Sequence, residues 1–380
     1  MPDPRLFVLG LAVASVASLL IVRALTGLSQ DATAVGRWRR AAWLGLLAGL
    51  AAGWNRLGYV VPWPPATGLD RLLLVTLPAV LAVELLVGSR VVQGLTEGIT
   101  NRLPGIPREI LPALSLGLVS MAVPLVLLWG SVHLGGEIAA RSLSGQGSLL
   151  LASGSLLGLG VASLRRVSLQ PQGWTVPISL MLALLTAGIC ILLAGYIKGG
   201  AVAFPLAGTL LGGLLATSGP RSVPVTAHAR DEVYRALVTF GTVSLYGVLL
   251  VGCAFGRLPG GRALLVGFAP LLGGVTAWVP PGIRRGRWFP WGRLTLIAVP
   301  LGMALFAAKH DFDRTLGPLV GRSGRSPLAG DALEDQAGGI RSADHPASGR
   351  LVFVDGNVQV RETDPGFGNN RQGGNCDAMA

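Results

Sequence analysis

Charge is what this chain has least of. Only 13% of its 380 residues are Asp, Glu, Lys or Arg, about half the ~25% that a soluble domain carries. That shortage, with 51% hydrophobic residues and a mean hydropathy of +0.59, excludes an ordinary water-soluble fold. Cysteine is nearly missing as well. Cys190 and Cys253 lie inside apolar stretches and Cys376 near the end, with no spacing for a metal site or a disulfide framework. They read as small packing residues and one stray thiol.

Catalytic motifs are missing too. There is no H-E-x-x-H, no paired acidic motif for a metal-bound diphosphate, no G-x-x-x-x-G-K-[ST] and no G-x-S-x-G. Ser153-Gly154 and Ser218-Gly219 resemble part of an intramembrane serine protease site. No histidine lies deep in a crossing to act as the base, which removes that reading. Acids are scarce on the outer face, where a lipid-linked-sugar transferase would need them. The sequence carries no cofactor or metal signature, and its leaning is non-enzymatic.

What is present is a succession of ten apolar stretches: Leu6–Leu25, Ala41–Val61, Leu72–Val87, Ile110–Leu134, Gly147–Leu164, Val176–Tyr196, Ala201–Thr217, Ala236–Phe255, Ala263–Val279 and Leu294–Ala308. A bilayer crossing takes about 20 apolar residues, so the expected fold class is all-α, a polytopic transmembrane bundle of about ten crossings. Odd-numbered connections hold 15 Lys and Arg residues and even-numbered ones 6, with Arg56 near the end of the second stretch counted among the latter and Arg5 and Arg23 in neither. Cytoplasmic loops retain basic residues, so the odd loops are expected in the cytoplasm and both termini outside. A rival reading of the first stretch is a cleaved secretory signal. Ala32-Thr33-Ala34 lies too far beyond the apolar run for that, and Arg37, Arg39 and Arg40 oppose export.

The net charge of +12 is unevenly spread. From Lys309 onward eight basic residues face ten acidic ones, leaving −2 there and +14 in the membrane part. Basic residues distributed over short loops fit topology and anionic lipid headgroups, not nucleic acid. Arg284-Arg285-Gly-Arg287-Trp288-Phe289 is a basic-aromatic flank of this kind. Val91, Leu95, Ile99 and Leu103 recur opposite Gln93, Glu97 and Asn101, the pattern of an amphipathic helix on the cytoplasmic face.

The expected divisions are a transmembrane bundle over 1–308, a flexible linker over 309–350, a β-hairpin over 351–361 and a disordered end over 362–380. The linker is rich in Gly, Ser and Asp, and Leu351-Val-Phe-Val then Asp355-Gly356 then Asn357-Val-Gln-Val has the form of a hairpin with a two-residue turn. Membrane lipids are the expected partners, with a protein partner reached through the tail.

Inside the bundle, glycines at every fourth position mark close helix packing: Gly45, Gly49 and Gly53; Gly154 and Gly158; Gly208 and Gly212. Prolines 78, 112, 124, 177, 205, 270 and 300 fall within crossings, where broken helices can expose backbone to a solute. Charged groups deep in a bilayer cost several kcal/mol and mark function. Glu84, in Leu81-Ala-Val-Glu84-Leu-Leu-Val, is the foremost candidate for an ion or proton site. Its competing role is structural, paired with Arg90 or with a neighbouring helix. Asn55 with Arg56, and His133 with Glu137, are secondary polar candidates, and His228 with Glu232 forms an i,i+4 pair that reads more readily as a salt-bridged turn. These features leave three functional classes open: a secondary-transporter-like carrier, a non-catalytic scaffold or accessory subunit, and a lipid-modifying membrane enzyme.

Overall fold

The computed structural model describes residues 3–27, 35–59, 62–87, 110–129, 143–170, 172–218, 227–256, 258–276 and 288–315, together with 352–354, 357–359 and a few isolated positions. The amphipathic segment around 91–103, Arg90, His133, Glu137, most of the 284–289 flank and most of the tail lie outside the described residues. The chain divides into two units, Met1–Val320 and Gly321–Ala380.

The first unit is a helical bundle. Its elements are α1 (Pro4–Gly27), α2 (Val35–Arg56), α3 (Gly68–Arg71), α4 (Leu77–Val87), α5 (Ile110–Leu128), α6 (Leu143–Ser168), α7 (Thr175–Leu193), α8 (Ile197–Thr217), α9 (Ala227–Phe255), α10 (Gly260–Val275) and α11 (Phe289–Thr315). Each of the ten apolar stretches is helical at least in part. Among the described residues six helices are long and apolar enough to span a membrane, in α1, α6, α7, α8, α9 and α11. The apolar segments Leu114–Leu128 in α5 and Gly260–Val275, the whole of α10, are shorter. Neither α2, with arginines at both ends, nor the interrupted α3–α4 run is among the six.

In hydrocarbon every backbone N–H and C=O must be satisfied within the segment, which is why apolar runs of this length are helices. Large apolar side chains cover the outside. Leu296, Val299, Met303 and Phe306 recur every three or four residues along α11 and are all exposed, an arrangement costly in water and ordinary against lipid. The chain is an integral membrane protein that crosses the bilayer several times.

The core sits on α9. In its most apolar window 83% of residues are buried, against 28% for α1 and 33% for α6 and α11. Phe240, fully buried on α9, meets Trp43 of α2 edge to face with ring centroids 6.4 Å apart, and α2, α6, α7, α8 and α10 all contact α9.

The glycine lines lie where helices approach most closely. α1 is held between α2 and α8. A methyl at Gly49 would stand 2.7 Å from the Ala14 carbonyl oxygen, and Gly208 and Gly212 of α8 face the carbonyls of Leu11 and Ser15 in the same way. The Ser15 hydroxyl donates to the Gly208 carbonyl at 2.9 Å. On the other side, Gly154 of α6 abuts the Ser120 and Met121 backbone of α5.

Prolines disturb the helices less than transporter-like breaks require. α5, α8, α10 and α11 run through Pro124, Pro205, Pro270 and Pro300. The exception precedes Pro78. Leu72–Thr76 forms a π-helical turn between α3 and α4, with the Leu77 N–H reaching the Leu72 carbonyl. Pro78 has no N–H to donate and its ring crowds the carbonyl four residues back, so the ladder widens there.

Contacts between helix ends sort by loop parity. Arg39 in the first connection reaches Glu232, at the start of α9, at 2.6 Å. At the opposite ends, Arg262 at the start of α10 pairs with Asp311 near the end of α11, and Tyr59 donates to Asp70 at 2.9 Å. Asp70 also closes a capping box with Thr67 at the start of α3. In the second unit, taken by itself, Val352–Val354 pairs antiparallel with Asn357–Gln359, Val352 opposite Gln359. A pair this short is marginal in water.

Candidate functional site

Glu84 lies two turns past the π-helical turn, on α4. The structure brings it to Arg165 of α6: Arg165 Nη2 donates to Glu84 Oε1. The same guanidinium donates from Nε to the Thr239 hydroxyl of α9 at 2.9 Å, and Thr239 donates onward to the Arg235 carbonyl at 2.9 Å. Thr239 can serve both neighbours because a hydroxyl both accepts and donates. The Glu84 and Arg165 side chains remain 23% and 21% exposed, so the pair is half-sheltered, not sealed. A crevice of about 10 Å³ beside it, bordered by Ser115, Ser120 and Val161, has room for about one water.

A second cluster lies nearby. Arg235 Nη1 is 3.4 Å from Glu232 Oε1, and Glu232 is the carboxylate that Arg39 reaches from α2. Thr239 meets Arg235 only at its main-chain carbonyl, so Glu84–Arg165–Thr239, across α4, α6 and α9, and Arg39–Glu232–Arg235, across α2 and α9, are two polar clusters at the arginine-rich ends of those helices. Glu232 is engaged by two arginines; the His228 side chain lies outside the described residues. Of the two structural partners expected for Glu84, the structure supplies the neighbouring helix.

On the other side of the α6–α9 pair is an apolar cavity of about 280 Å³. Leucines of α6, α7, α9 and α10 line it together with Gly160, Gly267, Ser153, Thr242, Tyr246 and Cys253. Among the described residues that line it there is no carboxylate, amine, imidazole or guanidinium.

Asn55 and Arg56 are exposed at the end of α2 and gather no cluster. His133 and Glu137 lie outside the described residues. Among the described residues no three His, Cys, Asp or Glu side chains stand close enough to share a metal ion.

The sequence reading missed Arg165, Thr239 and the Arg39–Glu232 link. It assigned Arg165 to a loop after Leu164, whereas α6 runs on to Ser168 and holds Arg165 on a helical face. It also missed Arg293, on the second turn of α11, which is 2% exposed with Nε and Nη2 unpartnered and with Gly273 of α10 against it. Thr67-Gly-Leu-Asp70 was readable in advance as a capping box.

Compared with protein-family models, with curated proteins and with solved structures, the chain matches none.

Proposed function

We propose that this membrane protein is a secondary-transporter-like carrier in which Glu84 is the proton- or ion-responsive group. The observation that carries the reading is the Glu84–Arg165 pair, braced by Thr239, which ties α4, α6 and α9 at the end of the bundle where Arg39 and Glu232 also join α2 to α9. Protonation of Glu84 would cancel its charge and leave Arg165 held by the Thr239 hydroxyl alone. α4 would then lose its ionic tie to α6, and a packed bundle responds to such a loss by moving between discrete arrangements.

The threading that goes with this reading has ten crossings, odd connections in the cytoplasm and both termini outside. Two ion pairs support it, since Arg39–Glu232 joins odd connections and Arg262–Asp311 joins the even side. The tail, with its short strand pair, is then an extracytoplasmic arm able to hold a protein partner. The basic loops would contact anionic lipid.

The test is charge movement. Proteoliposomes adsorbed on a solid-supported membrane are screened with solutes for transient currents, and Glu84→Gln should abolish any current while eluting in detergent like the parent. Intact currents in that variant would remove Glu84 from the mechanism.

The scaffold reading draws on the same pairing, because a carboxylate held by arginine is also a fixed cross-link. It expects deletion after Leu328 to cost a co-purifying protein and leave currents untouched. A lipid-modifying enzyme would want a base or nucleophile at the cavity, and the side chains there offer hydroxyls and one thiol.

A further inference from the structure

We propose that the cavity between α6, α7, α9 and α10 binds a neutral hydrocarbon chain, which enters from the bilayer. The inference is independent of any role for Glu84.

Size comes first. At about 280 Å³ the cavity is nearly twice the ~150 Å³ engineered apolar cavity that stays dry and takes up benzene. Interiors rarely leave such space unfilled. Gly160 shows that the space is not a by-product of close helix packing: a methyl there would meet only Leu271 at 3.8 Å and Thr242 at 3.9 Å, ordinary contacts. At Gly49, by contrast, a methyl collides with backbone.

Neutrality follows from the lining. With no ionised side chain among the described wall residues, a charged ligand would be desolvated without a counter-charge, at a cost of several kcal/mol.

The hydroxyls of the described wall residues offer a ligand no free donor. The Ser153 hydroxyl donates to the Leu150 carbonyl at 3.0 Å, and the Thr242 hydroxyl to the Val238 carbonyl at 2.7 Å. The Tyr246 hydroxyl is buried beside Ser153, out of reach of a molecule in the cavity. The cavity therefore favours hydrocarbon over an oxygen-bearing group.

Access follows from α10. Leu264 and Phe268, one turn apart, line the cavity and are also exposed on the bundle surface. They border an opening that faces lipid.

The test uses a photoactivatable diazirine alkane with the full-length protein in bilayer nanodiscs. The expected result is cross-linking to buried cavity residues such as Leu157 and Leu249. Gly160→Leu, which grows into open space, should reduce that labelling several-fold; if it fails to fold, Ala263→Leu fills the cavity from α10 and is read identically. Labelling confined to outward-facing residues, or unaffected by filling the cavity, would overturn the site.

Discussion

Arg39, on α2, and Glu232, on α9, meet at 2.6 Å although 193 positions separate them. Their side chains are 18% and 11% exposed, so the pair is largely sheltered from water. Exposed pairs contribute about 0–1 kcal/mol and breaking a buried one costs about 3–5 kcal/mol. A double-mutant cycle with Arg39→Gln and Glu232→Gln, read by thermal unfolding in detergent, should give a coupling of about 1–2 kcal/mol. Strict additivity would mean that the two side chains do not hold each other in solution.

Gly49→Leu should disrupt the α1–α2–α8 packing. Overpacking a core costs about 1–3 kcal/mol, and the added atoms here would face the Ala14 carbonyl, which cannot rotate away. The expected readout is a lower Tm and aggregation on size-exclusion chromatography. Gly160→Leu, placed in open space, should leave both nearly unchanged. Equal behaviour of the two variants would show that the glycine seam is not close-packed.

Arg293 presents the reverse case. Its guanidinium is buried with Nε and Nη2 unpartnered among the described residues. A buried charge of this kind disfavours the folded state, and an apolar side chain of similar length removes the penalty. Arg293→Met should therefore raise stability by ~1 kcal/mol or more, seen as a higher Tm in detergent. A fall in Tm would show that the charge has a partner in the membrane, such as an anionic lipid.

Cys376 reports the side on which the tail lies. Cys190 is buried and Cys253 half-buried, so a membrane-impermeant maleimide applied to intact cells should label the chain at Cys376 if the tail is extracytoplasmic. Cys376→Ser should remove that labelling. Labelling only after permeabilisation would invert the proposed threading.

The helices were legible because the signal is local. Twenty apolar residues in a row have one good conformation in hydrocarbon, so each apolar stretch turned out helical at least in part. Their ends were less legible. α3 begins at Gly68, ahead of the apolar run at Leu72, because Thr67 and Asp70 cap it, and α6 carries Arg165 directly after its last leucine and runs on to Ser168. Proline positions were visible, yet among the described residues only Pro78 coincides with a changed ladder; Pro124, Pro205, Pro270 and Pro300 are absorbed by helices that continue through them, and Pro112 and Pro177 stand in first turns.

Glu84 was visible because a lone carboxylate among leucines is conspicuous. Arg165 was not, because it resembled any other arginine flanking a crossing. Nothing near position 165 marks its reach to position 84 or to Thr239.

By itself the sequence determined the medium and the class of the fold. Shortage of charge, the length of the apolar runs and the sorting of arginines act residue by residue through transfer to lipid, and no contact is needed to read them. Tertiary structure alone decided which polar groups met, which glycine was packed and which left open, and that a cavity formed between α6, α7, α9 and α10. Those outcomes depend on the rotation and register of helices far apart in the chain. In lipid, register is set by the fit of whole helix faces, which no single stretch of sequence contains.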